Sequence, residues 1–134
     1  MTRIFLADAH VEERSALRFL LRDLGMEVVG EVGDWPSALV KADAGPIDVV
    51  LVDAGLLPDR PAEALDKLRR ICPQAVVVLL SDRLGARKLA ARPLESLADV
   101  LIYKDEPPDY IADRLRLAMD RGLSGNKDRG GEGG

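Results

Sequence analysis

Residues 47–58 read IDVVLVDAGLLP, with four consecutive aliphatic residues, Val49 to Val52, held between Asp48 and Asp53. A short run that is apolar on both faces cannot lie on the surface of a sheet. It predicts a strand in the middle of a parallel sheet covered on both sides. Residues 75–80, AVVVLL, repeat the pattern. Outward from these two runs the chain alternates between short aliphatic stretches and longer amphipathic ones. Strands are expected at Arg3–Ala7, Glu27–Val32, Asp48–Val52, Ala75–Leu80 and Asp99–Tyr103.

The gaps read as helices. Leu17, Leu20, Leu21 and Leu24 form one stripe at helical spacing, and Gly25 follows as a stop. Asp34 is placed to cap a second helix, with Pro36 in its first turn and Ala38, Leu39 and Ala42 inward. Asp59 is the expected cap of a third, striped by Leu65, Leu68 and Ile71. A fourth helical stretch at about 84–91 has a poor stripe. Asp105 is the expected cap of the last helix, Pro107 to about Arg121, striped by Ile111, Leu115, Ala118 and Met119. Five such units predict an α/β fold, a doubly wound five-stranded parallel sheet of order 2-1-3-4-5. Sites in this architecture lie beyond the carboxyl ends of the strands.

The chain has 134 residues, and its last part, 122–134, is rich in Gly and charge and reads as a flexible tail or linker stub. Residues 1–121 are the expected folded domain, large enough to bury roughly two-thirds of their extended surface. A net charge of −4 argues against direct nucleic-acid binding and against a cationic membrane surface. The one cysteine, Cys72, excludes a disulfide framework and fits a reducing, cytoplasmic compartment. No stretch reaches the roughly 20 apolar residues of a membrane span.

Four of the five expected strands deliver a polar group to the same edge: Asp8, Asp53, Ser81 and Lys104. Taken singly, each has an ordinary reading as a cap, a turn or a solvated end. Taken together they fit one chemistry. Neighbouring carboxylates repel unless a cation lies between them, and an oxygen-rich, partly hydrated pocket suits Mg²⁺. A lysine and a hydroxyl alongside would serve phosphoryl transfer to a carboxylate. The reading requires these four residues to converge on one rim, with both acids open to solvent.

The segments RIFLADAH, VVGEVGDWPSAL, IDVVLVDAGLLP, PQAVVVLLSD and LIYKDEPP resemble the receiver domain of two-component response regulators. The resemblance spans about residues 2–121, and the opening segments look most like receivers of LuxR-type transcriptional regulators. It implies a CheY-like (flavodoxin-like) three-layer sandwich. It further implies Asp53 as phosphoacceptor, Asp8 in the acidic pocket, Ser81 and Lys104 as phosphate contacts, and Asp8, Asp53 and the Gly55 carbonyl around Mg²⁺. Implied partners are a histidine kinase and a dimer or output partner bound through the fourth helical stretch, the fifth strand and the last helix. A C-terminal DNA-binding domain would lie outside this chain. Activity would be limited to self-phosphorylation from phosphohistidine or small phosphodonors.

Four positions depart from the family pattern. Ala9 stands where a second acid is usual, which weakens the Mg²⁺ site; Glu12 or Glu13 is the candidate substitute, although both also suit a helix N-terminus. Asp82 follows Ser81 where a small residue is usual. The loop AGLLPDRP replaces a methionine-proline-glycine turn. Leu101 occupies the usual aromatic position, with Tyr103 expected on the face of its strand opposite Lys104. The alternative function is therefore a degenerate receiver, a phosphorylation-independent interaction or dimerisation module. A flavin-binding domain fits poorly, since no Gly-rich loop follows the first strand. His10, the only histidine, is expected at an exposed helix start.

Overall fold

The computed structural model describes residues 1–82 and 97–132, with backbone alone for 121–132. Five strands, β1 (Arg3–Ala7), β2 (Glu27–Val32), β3 (Val49–Asp53), β4 (Val76–Ser81) and β5 (Val100–Tyr103), form one parallel sheet. Its order is β2-β1-β3-β4-β5, as expected. Among the described residues the helices are α1 (Val11–Asp23), α2 (Trp35–Lys41), α3 (Pro61–Ile71) and α4 (Pro108–Glu132), with a 3₁₀ turn at Ala54–Leu56. The fourth helical stretch expected at 84–91 lies outside the described residues. Among the described residues, no helix is long and apolar enough to cross a membrane.

Every residue of β3 and β4 is buried, because helices cover both faces of the sheet. Trp35, Ala38, Ala64, Leu65 and Leu68 of α2 and α3 pack on Val50, Val52, Val77 and Leu79. On the other face Leu17, Leu21, Leu115 and Ala118 of α1 and α4 pack on Val49, Leu51, Val78 and Leu80. Alternation along each strand thus divides the aliphatic core into two layers, giving the three-layer sandwich. At the β2 edge, Val29 is an extra residue in the ladder between the pairs Ile4–Val28 and Phe5–Gly30. A Cβ at position 30 would stand 3.1 Å from the Phe5 ring, so the bulge places glycine where the ring comes closest.

Helix starts correct two of the expected caps. Asp34 does cap α2, accepting from the Ser37 N–H at 2.8 Å, and this hydrogen bond lowers its carboxyl pKa. Asp59 does not cap α3, whose N-cap is Arg60, without a side-chain bond. Asp105 likewise stands three residues before α4 begins. Both helices open on a proline, Pro61 and Pro108. Proline supplies a helical φ and has no N–H to satisfy, so the first turn needs less help from a side chain. The helical backbone of α4 also crosses position 121, where loss of the apolar stripe suggests a boundary.

Asp48 and Asp99, expected as first strand residues, stand just outside their strands and serve the neighbouring ones. The Asp48 carboxylate accepts the Arg3 N–H, and Asp99 accepts the N–H of the fully buried Val77, each at 2.8 Å. Asp99→Ala leaves a buried donor unpaired, so a loss of about 1–2 kcal/mol is expected in urea unfolding. A loss well below that would mean that water replaces the carboxylate.

Candidate functional site

The pocket forms where β1 and β3, adjacent in the sheet, present their carboxyl ends. Asp8 follows β1 directly and Asp53 closes β3. Lys104 follows β5, two strands away, and its long stem spans the gap. Its Nζ lies 2.7 Å from Asp53 Oδ1 and 3.1 Å from Glu13 Oε1. Asp8, His10, Glu13 and Asp53 each bring one ligand atom into a group lying within 4.8 Å of one another. The convergence that the strand ends predict is therefore present for Asp8, Asp53 and Lys104.

The requirement that both acids be open to solvent is contradicted, so a donor could reach Asp53 only after the side chains over it move. Asp8 is fully buried and Asp53 is 3% exposed. The acids share one hollow at the sheet edge, and the Lys104 ammonium leans over Asp53, satisfying its charge while shielding it from water. Burial disfavours the ammonium, but hydrogen bonds from Lys104 to Asp53 and Glu13, with their charges, outweigh that and raise its pKa. Glu13 is raised as well, by burial first and then by the adjacent Asp8 carboxyl, with Lys104 pulling the other way.

The structure chooses between the two glutamates. Glu12 is exposed, whereas Glu13, one position on, turns into the pocket. His10, at the N-cap of α1, is largely exposed as expected, yet it belongs to the same group. Its backbone N–H donates to Asp8 Oδ1 at 2.9 Å, and its Nδ1 stands 3.4 Å from that oxygen. The spacing of His10 and Glu13, three residues apart on one helical face, was the available signal. Arg14 is a further member that composition does not single out. It donates to the Asp8 carbonyl at 2.6 Å and pairs with Glu31, fastening α1 to the ends of β1 and β2.

Ser81 is buried at the end of β4, but its hydroxyl donates to the Asp82 carbonyl at 2.9 Å. Asp53 is in register with Leu80 and Ser81 with Tyr103, so the hydroxyl stands one step past the acid. Leu101 is buried and Tyr103 packs against the same cluster, on the side of β5 away from Lys104. Gly55 lies beside the Asp53 carboxylate: a Cβ there would be 3.0 Å from Asp53 Oδ2. One oxygen stands out. Asp8 Oδ2 is buried with no hydrogen-bond partner, in a pocket holding three carboxylates and one ammonium. A carboxylate oxygen left so is costly, and a divalent cation is the group that would satisfy it.

No family model matches the chain. It is 30% identical over 128 residues to the nitrate/nitrite response regulator protein NarP of Escherichia coli K12, which covers 93% of this chain and 56% of NarP. The chain thus spans about half the length of the curated relatives it matches. The receiver domain of the Pseudomonas aeruginosa sensor histidine kinase PA1611, solved with magnesium in its active-site cleft, superposes with a TM-score of 0.72 at 19% identity. That match covers 89% of this chain and 98% of the other. The signal receiver domain of the response regulator NarL from Mycobacterium tuberculosis gives 0.69 at 23%, covering 89% and 96%. With its sheet order, its acidic pocket at the β1 and β3 ends and this likeness over nearly its whole length, the chain has the CheY-like receiver fold and is similar in sequence to about half the length of response regulators such as NarP.

Proposed function

We propose that this receiver domain accepts a phosphoryl group on Asp53 from the phosphohistidine of a partner kinase, as a cytoplasmic signalling switch. The observation that carries the reading is the Lys104 ammonium 2.7 Å from Asp53 Oδ1, in a pocket that also holds Asp8 and Glu13. In the step, an Asp53 oxygen attacks phosphorus, the P–N bond breaks, and the histidine leaves as imidazole, which takes up a proton. An acyl phosphate remains on Asp53. The domain supplies position and charge rather than bond chemistry. Asp8 and Asp53, with the Gly55 carbonyl and Glu13, would hold a divalent cation, Mg²⁺ by family resemblance. When bound, that ion neutralises charge on the phosphoryl oxygens.

Lys104 must leave its present contacts to let a donor reach Asp53, and it then meets the new phosphoryl oxygens. Ser81 would have to exchange the Asp82 carbonyl for the same group. These two shifts couple the site to β5 and α4, the face proposed for dimer or output contacts. Half-length coverage of NarP leaves room for a further output domain, DNA-binding in LuxR-type regulators, beyond this receiver.

The test is incubation with phosphoramidate and Mg²⁺ followed by intact mass. A gain of one phosphoryl mass on the native chain is expected. No gain over hours would overturn the proposal and leave the phosphorylation-independent module, to which Ala9 and Asp82 point.

A further inference from the structure

Position 9 takes an acid out of the pocket, yet the buried Asp8 Oδ2 still lacks a partner. Two residues from the next turn of chain stand near this carboxylate. Glu13 is held by Lys104 at 3.1 Å, and His10 brings its Nδ1 to 3.4 Å from Asp8 Oδ1 and 3.9 Å from Glu13 Oε2. The backbone bond from His10 N–H to Asp8 keeps the imidazole at the mouth of the pocket. Its side chain is 70% exposed, free to turn inward without disturbing the core.

We propose that Glu13 and His10 complete the cation pocket that Ala9 leaves short, and that the resulting donors, three carboxylates and one imidazole, favour a first-row transition ion such as Mn²⁺ over Mg²⁺. The proposal rests on the reading of the Asp53 pocket as a divalent-cation site.

Charge supports a divalent ion: among the described residues, three carboxylates against one ammonium leave two negative charges to neutralise. Donor chemistry sets the preference. Mg²⁺ is small and hard, demands oxygen and retains its waters, so it gains little from an imidazole. Imidazole is a good ligand for transition ions, which accept mixed nitrogen and oxygen sets. A glutamate reaching in from α1 also has a longer, more adaptable stem than an acid at position 9, and the loose geometry that results penalises Mg²⁺ most.

The experiment is Mn²⁺ and Mg²⁺ titration of the intact chain without phosphodonor, with pulsed EPR of the Mn²⁺-bound protein. Since His10 is the only histidine, any imidazole nitrogen coupling to Mn²⁺ has one source. The native chain is expected to show that coupling and to bind Mn²⁺ at least about tenfold tighter than Mg²⁺. His10→Gln, at an exposed position, should abolish the coupling and cut Mn²⁺ affinity about tenfold, with Mg²⁺ changed by less than about twofold. Glu13→Gln should weaken both ions. Absence of nitrogen coupling in the native chain, or equal losses for the two ions in His10→Gln, overturns the proposal. The phosphotransfer reading fails by a different measurement, the absence of added phosphate, so the two can fall separately.

Discussion

Lys104→Met is expected to lower the unfolding free energy by about 2–3 kcal/mol at neutral pH, read from urea midpoints at unchanged slope. The lysine is the ammonium that pairs with the pocket acids, 2.7 Å from Asp53 and 3.1 Å from Glu13. Methionine keeps most of the stem's packing but leaves buried carboxylates facing one another. Removing one partner of a fully buried pair costs about 3–5 kcal/mol. A lower figure applies here because 26% of the lysine side chain is exposed and water can return. The pH dependence separates charge from packing. Lys104 has a raised pKa in the fold, so its contribution is complete below the ordinary lysine range and is lost as pH rises through the raised value. On the acid side the carboxylates decide. Glu13, also raised, takes up its proton in the fold before it does in the unfolded chain, so acidification relieves the repulsion that the variant suffers. The deficit should therefore be widest near neutrality and shrink by more than half near about pH 4, close to ordinary carboxylate values. A deficit of constant size over that range would mean that only packing was lost.

The sheet was legible because its signal is redundant. Val49–Val52 and Ala75–Leu80 had no other place than a doubly covered centre, and the structure buries all of β3 and β4. Caps were less legible. Asp34 caps through a short-range bond to Ser37, whereas Asp59 and Asp105 present the same letter without the bond. What differs is the proline that opens α3 and α4, which makes the start of a helix less dependent on any side chain. Asp48 and Asp99 show the reverse failure: their partners, Arg3 and Val77, lie 45 and 22 residues away, where no local pattern could reveal them.

The site divides along the same line. Asp8, Asp53 and Lys104 were found because strand ends in this architecture share an edge. Choosing Glu13 over Glu12 was beyond the pattern, since both favour a helix N-terminus and only the rotation of α1 tells which faces the acids. His10 looked like a solvated cap, and it is one; its place beside the acids comes from the main-chain bond to Asp8. Burial of both acids was also missed. Residue type says that carboxylates prefer water, but not that a lysine two strands away will lean over Asp53.

Asp53→Asn is expected to abolish phosphate uptake completely while leaving stability within about 1 kcal/mol of the native chain. The amide is no nucleophile towards phosphorus, so intact mass should show no addition under conditions that load the native protein. Stability behaves differently from the Lys104 variant because the two substitutions act on opposite sides of the charge imbalance. Asp53→Asn removes one of three clustered negative charges, and the new amide carbonyl still accepts from the lysine, which keeps Glu13 as its second partner. Loss of the Asp53 ion pair is thus offset by less repulsion among groups that lie within 4.8 Å. The double variant tests this coupling. In the Asp53→Asn background, Lys104→Met should cost at least about 1 kcal/mol less than it does alone, since the lysine then has fewer acids to neutralise. Strict additivity would show that Lys104 stabilises the fold through contacts other than the acids. Persistent phosphate uptake by Asp53→Asn would move the acceptor to Asp8 or Glu13, the remaining carboxylates within reach, and peptide mapping of the modified site would tell them apart.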